Sequence, residues 1–157
     1  IAIAIIKQNF KDFDLNTSKI EDLDKYHNYL PDRLVPYFEG AIKNYHYTKE
    51  ALKEFEKPTP DLKKIGALMN QHHAVLRDLL KITVPKIDAM INAALKAGAY
   101  GAKIVGSGGG GSIVVLAEPG NEAPVVAAIL AAGAIEAYTV TVDPGVRILE
   151  NSKILKN

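Results

Sequence analysis

The chain has 157 residues, 48% hydrophobic and 24% charged, with a net charge of +1 at neutral pH. That length gives room for one good core, and the charge balance excludes a general binder of nucleic acid or membrane surfaces, which needs a basic excess or a basic block. With no cysteine there is no disulfide, thiolate metal site or cysteine nucleophile, and no apolar run reaches the roughly 18 residues that cross a bilayer. The default expectation is a cytoplasmic globular protein.

The opening IAIAII, residues 1–6, is too short for a secretion signal and lacks a cleavage pattern, so it reads as a strand or a buried apolar segment. A start at Ile rather than Met reads as a processed or truncated end. Asn16, Thr17 and Ser18 form a capping cluster ahead of a short helix over 19–29, stopped by Pro31. A longer helix is expected over 34–56, with Leu34, Phe38, Ile42, Tyr45, Leu52 and Phe55 on its apolar side and Pro36 in its first turn. The stretch EKPTPD, 56–61, interrupts the helical pattern, since Pro58 and Pro60 disfavour helix in the residue before each. It also separates an aromatic-rich first part from an Ala-, Gly- and Val-rich remainder.

Asp61 is a good N-cap for a helix over 62–80, whose face is Leu62, Ile65, Leu68, Met69, His72, Val75, Leu76 and Leu79. Pro85 starts the next helix, with Ile87, Met90, Ile91, Ala94 and Leu95 as its stripe and Gly98 as its stop. Then come two apolar strands, KIV and SIVVLAE, joined by a glycine loop and ended by Pro119-Gly120. A helix over 122–133 closes at Gly133, and AYTVTV, 137–142, alternates as a last strand before Asp143-Pro144-Gly145. Three strands interleaved with helices predict a small α+β sandwich.

Five of the six residues from Gly106 to Gly111 are glycine. Consecutive glycines cost stability, and an ordinary hairpin needs one or two. The excess implies either a close backbone approach or several N–H groups turned toward one point, a nest that favours an anion such as phosphate. The loop is neither a Walker motif, since no Gly-Lys-Ser/Thr follows, nor a dinucleotide fingerprint, since a strand follows it. A flexible connection or a linker is the alternative, although a linker is not expected inside what reads as a core hairpin.

Other polar residues carry plainer readings. His72 and His73 lack a third ligand on their face, so a capped or core-edge histidine is preferred to a metal site. Arg77 is read as a surface ion pair with a helix neighbour before a support for the loop. His27 and His46, among tyrosines, are read as packed helix faces before sugar-stacking residues. Lys103 is open between an anion contact and a strand-edge charge. KEALKEFEK and DLKK are solvated helix faces.

ALKAGAYGAKIVGSGGGGSIVVLAE resembles the third signature of the GHMP kinases (galactokinase, homoserine kinase, mevalonate kinase and phosphomevalonate kinase), where Gly-Ala-Lys/Arg, a strand and a G-x-G-x-G-G-C/S loop follow one another. Upstream, LMNQHHAVLRDLLKITVPKIDAMI resembles the LMN-x-x-H-x-x-L-R-D … P-x-x-D segment of the galactokinase-like sugar-1-kinase branch, and downstream AYTVTVDPGVRI is similar to the family's closing strand. The resemblance is strong over 61–148 and weak over 1–60. It implies a ferredoxin-like α+β C-terminal domain over 61–157, an antiparallel sheet packed with helices, preceded by a mainly helical region over 1–60. It also implies that Gly106, Ser107, Gly108, Gly109, Gly110, Gly111 and Ser112 form a loop near the ATP phosphates and the sugar, Ser112 standing where many members have Cys.

The family's main P-x-x-x-G-L-x-S-S phosphate loop and its catalytic Asp have no counterpart here, so no catalytic residue or metal ligand is assigned to this chain. The resemblance therefore implies the C-terminal portion of an ATP- and Mg²⁺-dependent kinase acting on a sugar hydroxyl at C1, with ATP and Mg²⁺ held mainly by an N-terminal kinase half. Mevalonate or homoserine as acceptor, and a non-catalytic module derived from a kinase half, are the alternatives. Without the partner half, the chain is expected to be inactive and to self-associate.

Overall fold

Residues 1–142 and 145 are described by a computed structural model of the chain. The IAIAII opening lies in a helix, α1 (Ala2–Asn9), and not in a strand. Its β-branched residues suit a strand, but Ala2, Ile5 and Ile6 stand at helical spacing and turn toward an aromatic cluster, so tertiary packing overrides propensity. Ile6 is fully buried, as the alternative reading of a buried apolar segment requires.

The Asn16–Ser18 cluster does not cap the following turn. The Thr17 and Ser18 hydroxyls donate instead to the Asp14 carbonyl, at 3.2 and 2.7 Å, closing a local turn that competes with capping. A 3₁₀ turn (Ile20–Asp22) leads into α2 (Leu23–His27). Helix α3 (Val35–Phe55) carries Pro36 in its first turn, as expected. Rings from these elements pack edge-on, Phe10 on Tyr26 at 5.1 Å, Phe13 on Tyr26 at 5.2 Å and Tyr26 on Phe38 at 5.6 Å. Ile6, Leu23, Leu30 and Ile42 complete this first core.

The far end of α3 departs from its apolar stripe. Leu52 and Phe55 are 49% and 59% exposed, whereas Glu54 is 1% exposed. The inversion follows from what packs there: the turn into α4 (Leu62–Ala74) offers hydrogen-bond donors, not apolar groups. The Glu54 carboxylate accepts from the Asp61 N–H at 3.0 Å, from Lys57 at 2.7 Å and from Lys64 at 3.1 Å. Asp61 in turn caps α4, accepting from the Lys63 and Lys64 amides.

Helix α4 widens into a π turn (Val75–Leu79), in which the Leu80 N–H reaches the Val75 carbonyl at 3.1 Å. Helix α5 (Pro85–Lys96) ends at Gly98, φ +97°, with Gly98 and Ala99 amides returning to Leu95 and Ala94. This paired C-terminal closure requires the left-handed glycine. Strands β1 (Gly101–Val105) and β2 (Ser112–Leu116) pair antiparallel, Gly101 opposite Leu116 and Val105 opposite Ser112, and α6 (Glu122–Ala131) follows. Ile87, Ile91, Ala94, Ala102, Ile104, Val125 and Ile129 form the second core between α5, α6 and one face of the hairpin.

The third expected strand is not formed. Residues 137–142 have no ladder partner among the described residues, and Tyr138, Val140 and Val142 are 74–97% exposed. A strand exists only where an edge accepts it. The outer edge of β1 is occupied by α4, and residues 137–140 pass beside β2 without joining it. Asp143, Pro144 and the Val-Arg that follows Gly145 lie outside the described residues.

Candidate functional site

The hairpin register leaves residues 106–111 to bridge Val105 and Ser112. Gly106, Gly108, Gly109, Gly110 and Gly111 all have positive φ, from +75° to +137°, so the glycine run is a backbone requirement and not a spacer of arbitrary composition. Gly108 passes so close to Ile82 that a Cβ there would collide with the Ile82 carbonyl oxygen. The next amide, Gly109 N–H, donates to that same oxygen at 2.7 Å. At Gly106, Gly109, Gly110 and Gly111 nothing lies within 4 Å of where a Cβ would stand, and no other amide of residues 106–111 has a partner among the described residues. The loop is thus pinned at one point, with the rest of its backbone open.

The pin is built by the end of the π turn. Lys81 has a left-handed backbone, φ +54°, uncommon for a non-glycine residue. The Ile82 N–H donates to the Leu76 carbonyl at 3.0 Å, which leaves the Ile82 carbonyl facing the loop. Thr83 then donates its hydroxyl to Asp88 Oδ2 at 3.1 Å. Asp88 Oδ1 stands 3.3 Å from His73 Nε2, while His73 Nδ1 faces the Ile104 N–H at 3.5 Å. An acceptor at Nδ1 places the proton on Nε2, directed at the carboxylate. One turn earlier on α4, Asn70 accepts from the Ala102 N–H at 2.9 Å and donates to the Tyr100 carbonyl at 3.2 Å. Side chains of a helix therefore serve the outer edge of β1 in place of a neighbouring strand.

His73 is the core-edge histidine expected of it: burial lowers its pKa, partly opposed by Asp88. Half-buried His72 is also pushed down, by burial first and then by Lys103 and His73. Lys103 donates from its ammonium to the Ile104 carbonyl at 2.9 Å, and burial lowers its pKa. Arg77 makes the expected surface pair, two bonds of 2.8 Å to Asp78. His27 lies 3.1 Å from Glu39 on a packed helix face, and His46 stacks edge-on against Tyr47. Among the described residues, no three His, Asp or Glu side chains converge to hold a metal ion.

Ile82 and Thr83 were not legible as site residues, and Asn70 and Asp88 were legible only as motif positions, with no role assigned. The available signal was Asn70 and His73, polar groups three apart on a helix beside a strand that needed an edge partner. Next to the loop, β2, α5, α6 and residues 133–140 enclose a mostly apolar groove of about 740 Å³, bordered by Gly110, Gly111 and Ser112 at one end.

Residues 48–135 match the family described as GHMP kinases C terminal, a stretch that takes in α4, α5, the hairpin and the glycine loop and stops before AYTVTV. The chain belongs to the GHMP kinase family and represents its C-terminal domain. It is 36% identical over 129 residues to the mevalonate kinase of Pyrococcus horikoshii, an alignment covering 82% of this chain and 38% of that protein. It is 34% identical over 115 residues to the galactokinase of Chloroflexus aggregans, covering 73% of this chain and 29% of the other. Its fold is similar to the crystal structure of Lactococcus lactis galactokinase complexed with galactose, with a TM-score of 0.65, 26% identity, and coverage of 82% of this chain and 35% of that one. The chain thus spans well under half the length of the relatives it matches. No described helix is long and apolar enough to cross a membrane.

Proposed function

We propose that the chain is the C-terminal portion of an ATP-dependent small-molecule kinase, and that residues 106–112 face the phosphates being handled. The observation that carries this reading is the loop itself: five positive-φ glycines, pinned once at Ile82, with the remaining amides unpaired among the described residues. Such amides stabilise negative charge without any side chain, which suits phosphoryl transfer, where catalysis is largely positioning and electrostatics. ATP with Mg²⁺ is the phosphoryl donor in this reading. Both are held mainly by an N-terminal kinase half that supplies the main phosphate loop and the catalytic Asp. The exposed Ile135, Tyr138, Val140 and Val142 support a missing apolar partner, and self-association of the chain alone follows from the same surface.

A sugar hydroxyl at C1 is the acceptor favoured by the LRD segment and by likeness to galactokinases. A mevalonate-type alcohol is the second reading, favoured by the 36% identity to an archaeal mevalonate kinase. Titration of the chain joined to its N-terminal half with ATP·Mg²⁺, followed by backbone amide NMR, tests the loop: shifts should include residues 106–112. Shifts in the N-terminal half with none in the loop would remove the assignment. Phosphorylation assays with galactose and with mevalonate should show no turnover by the chain alone, and turnover by the chain joined to its N-terminal half. The joined enzyme's preference decides the acceptor.

A further inference from the structure

We propose that Asp88 is a positioning residue for the glycine loop, clamping Thr83 and His73 so that the Ile82 carbonyl stands where Gly109 needs it. The inference goes beyond the functional reading above, which it needs only for the loop's purpose. Asp88 lies in the first turn of α5, yet its two oxygens serve other elements: Oδ1 faces His73 Nε2 on α4 and Oδ2 accepts from Thr83 in the connection before α5. His73 continues the line to the Ile104 amide on β1, the strand that feeds the loop. Thr83 follows Ile82, whose N–H is fixed by Leu76 and whose carbonyl takes the Gly109 amide.

The loop is therefore referenced to the core at two points, its β1 side and Gly109, by one carboxylate. The coupling is tight because Gly108 leaves no room for even a Cβ against Ile82. A small displacement of Ile82 must be followed by Gly108 and Gly109, since close-packed groups transmit strain. Lys81, held left-handed one residue earlier, is the bend that aims the Ile82 carbonyl away from its own helix.

Amide hydrogen exchange in the 157-residue chain tests the clamp without any ligand. Thr83→Val and Asp88→Asn should each accelerate exchange at Gly109 roughly three- to tenfold, the size of one lost hydrogen bond, while amides in the middle of α5 and α6 keep their rates. Thr83→Ser retains the hydroxyl and should restore Gly109 protection. Unchanged Gly109 exchange in both variants, no protection at Gly109 in the wild-type chain, or a uniform acceleration across α4 and α5 would each overturn the proposal. If Gly109 responds and ATP·Mg²⁺ leaves the loop of the joined enzyme unshifted, the clamp stands and the phosphate reading alone fails.

Discussion

Gly66 on α4 and Gly101 on β1 meet backbone to backbone. A Cβ on Gly66 would fall on the Tyr100 carbonyl group, and one on Gly101 would fall on the Gly66 carbonyl and 2.5 Å from its Cα. This closeness lets Asn70 and His73, one and two turns further along α4, reach the β1 edge with their side chains. On an exposed helix, Gly→Ala gains about 1 kcal/mol from propensity. Here the sign reverses, because the neighbour is backbone and cannot swing aside. Gly66→Ala should lower stability by about 1–3 kcal/mol or more, read from the urea midpoint at unchanged m-value. A stabilised variant would mean that α4 and β1 are further apart.

Asn70 takes the place of a neighbouring strand at two points of β1. Asn70→Leu keeps the branched outline of the side chain and removes both bonds to Tyr100 and Ala102. Leaving a buried backbone amide without an acceptor costs about 1–3 kcal/mol, and that loss should appear in denaturant unfolding. Exchange at the Ala102 amide should rise with it, locating the loss at the β1 edge.

Glu54 sets an acid limit on the junction of α3 and α4. The bond from Lys57, then that from the Asp61 amide, hold its pKa at about 2, from an ordinary 4.5. A carboxylate with a lowered folded pKa contributes stability that is complete above its unfolded value and is lost as the proton returns. The contribution is therefore present above about pH 4.5 and disappears as pH falls toward 2. Glu54→Gln should be less stable than wild type near neutrality, and the gap should close as pH falls through that window. A gap independent of pH would point to packing in place of charge.

Gly108 and Gly111 share a backbone conformation, φ +85° and +87°, but only Gly108 abuts Ile82. Alanine at either position carries the left-handed penalty of roughly 1–2 kcal/mol. Gly108→Ala should cost more, and thermal unfolding of the pair isolates the Ile82 contact. Gly109→Val meets no steric obstacle but is strained at φ +75°, so it should loosen the Ile82 pin and turn the loop's unpaired amides out of place. The flanking strands should stay paired, and turnover of the joined enzyme should fall by on the order of 10²–10³-fold, as loss of one preorganised donor does. Full turnover would mark the loop as a plain connection.

Local features with a local cause were readable from the chain alone. Asp61 caps because its carboxylate reaches amides two and three residues on, Gly98 and Gly133 end helices because each supplies positive φ, and the glycine run marks a hairpin loop by its density. The order of helices and strands from residue 62 to 133 follows from such signals together with apolar periodicity. What depended on partners distant in sequence was decided only by the tertiary structure. IAIAII became a helix because aromatic rings from α2 and α3 wait on one side of it, and AYTVTV passes beside β2 with no ladder partner among the described residues. Glu54 went inside, and Leu52 and Phe55 outside, because Lys57, the Asp61 amide and Lys64 converge on that face. His73 and Asp88 stand at named positions of the family-like segment and Thr83 does not, but nothing in the string says what any of them touches. They become the support of a loop well beyond them in the chain only when α4, α5 and β1 fold together, since a hydrogen bond depends on separation in space and carries no record of spacing along the chain.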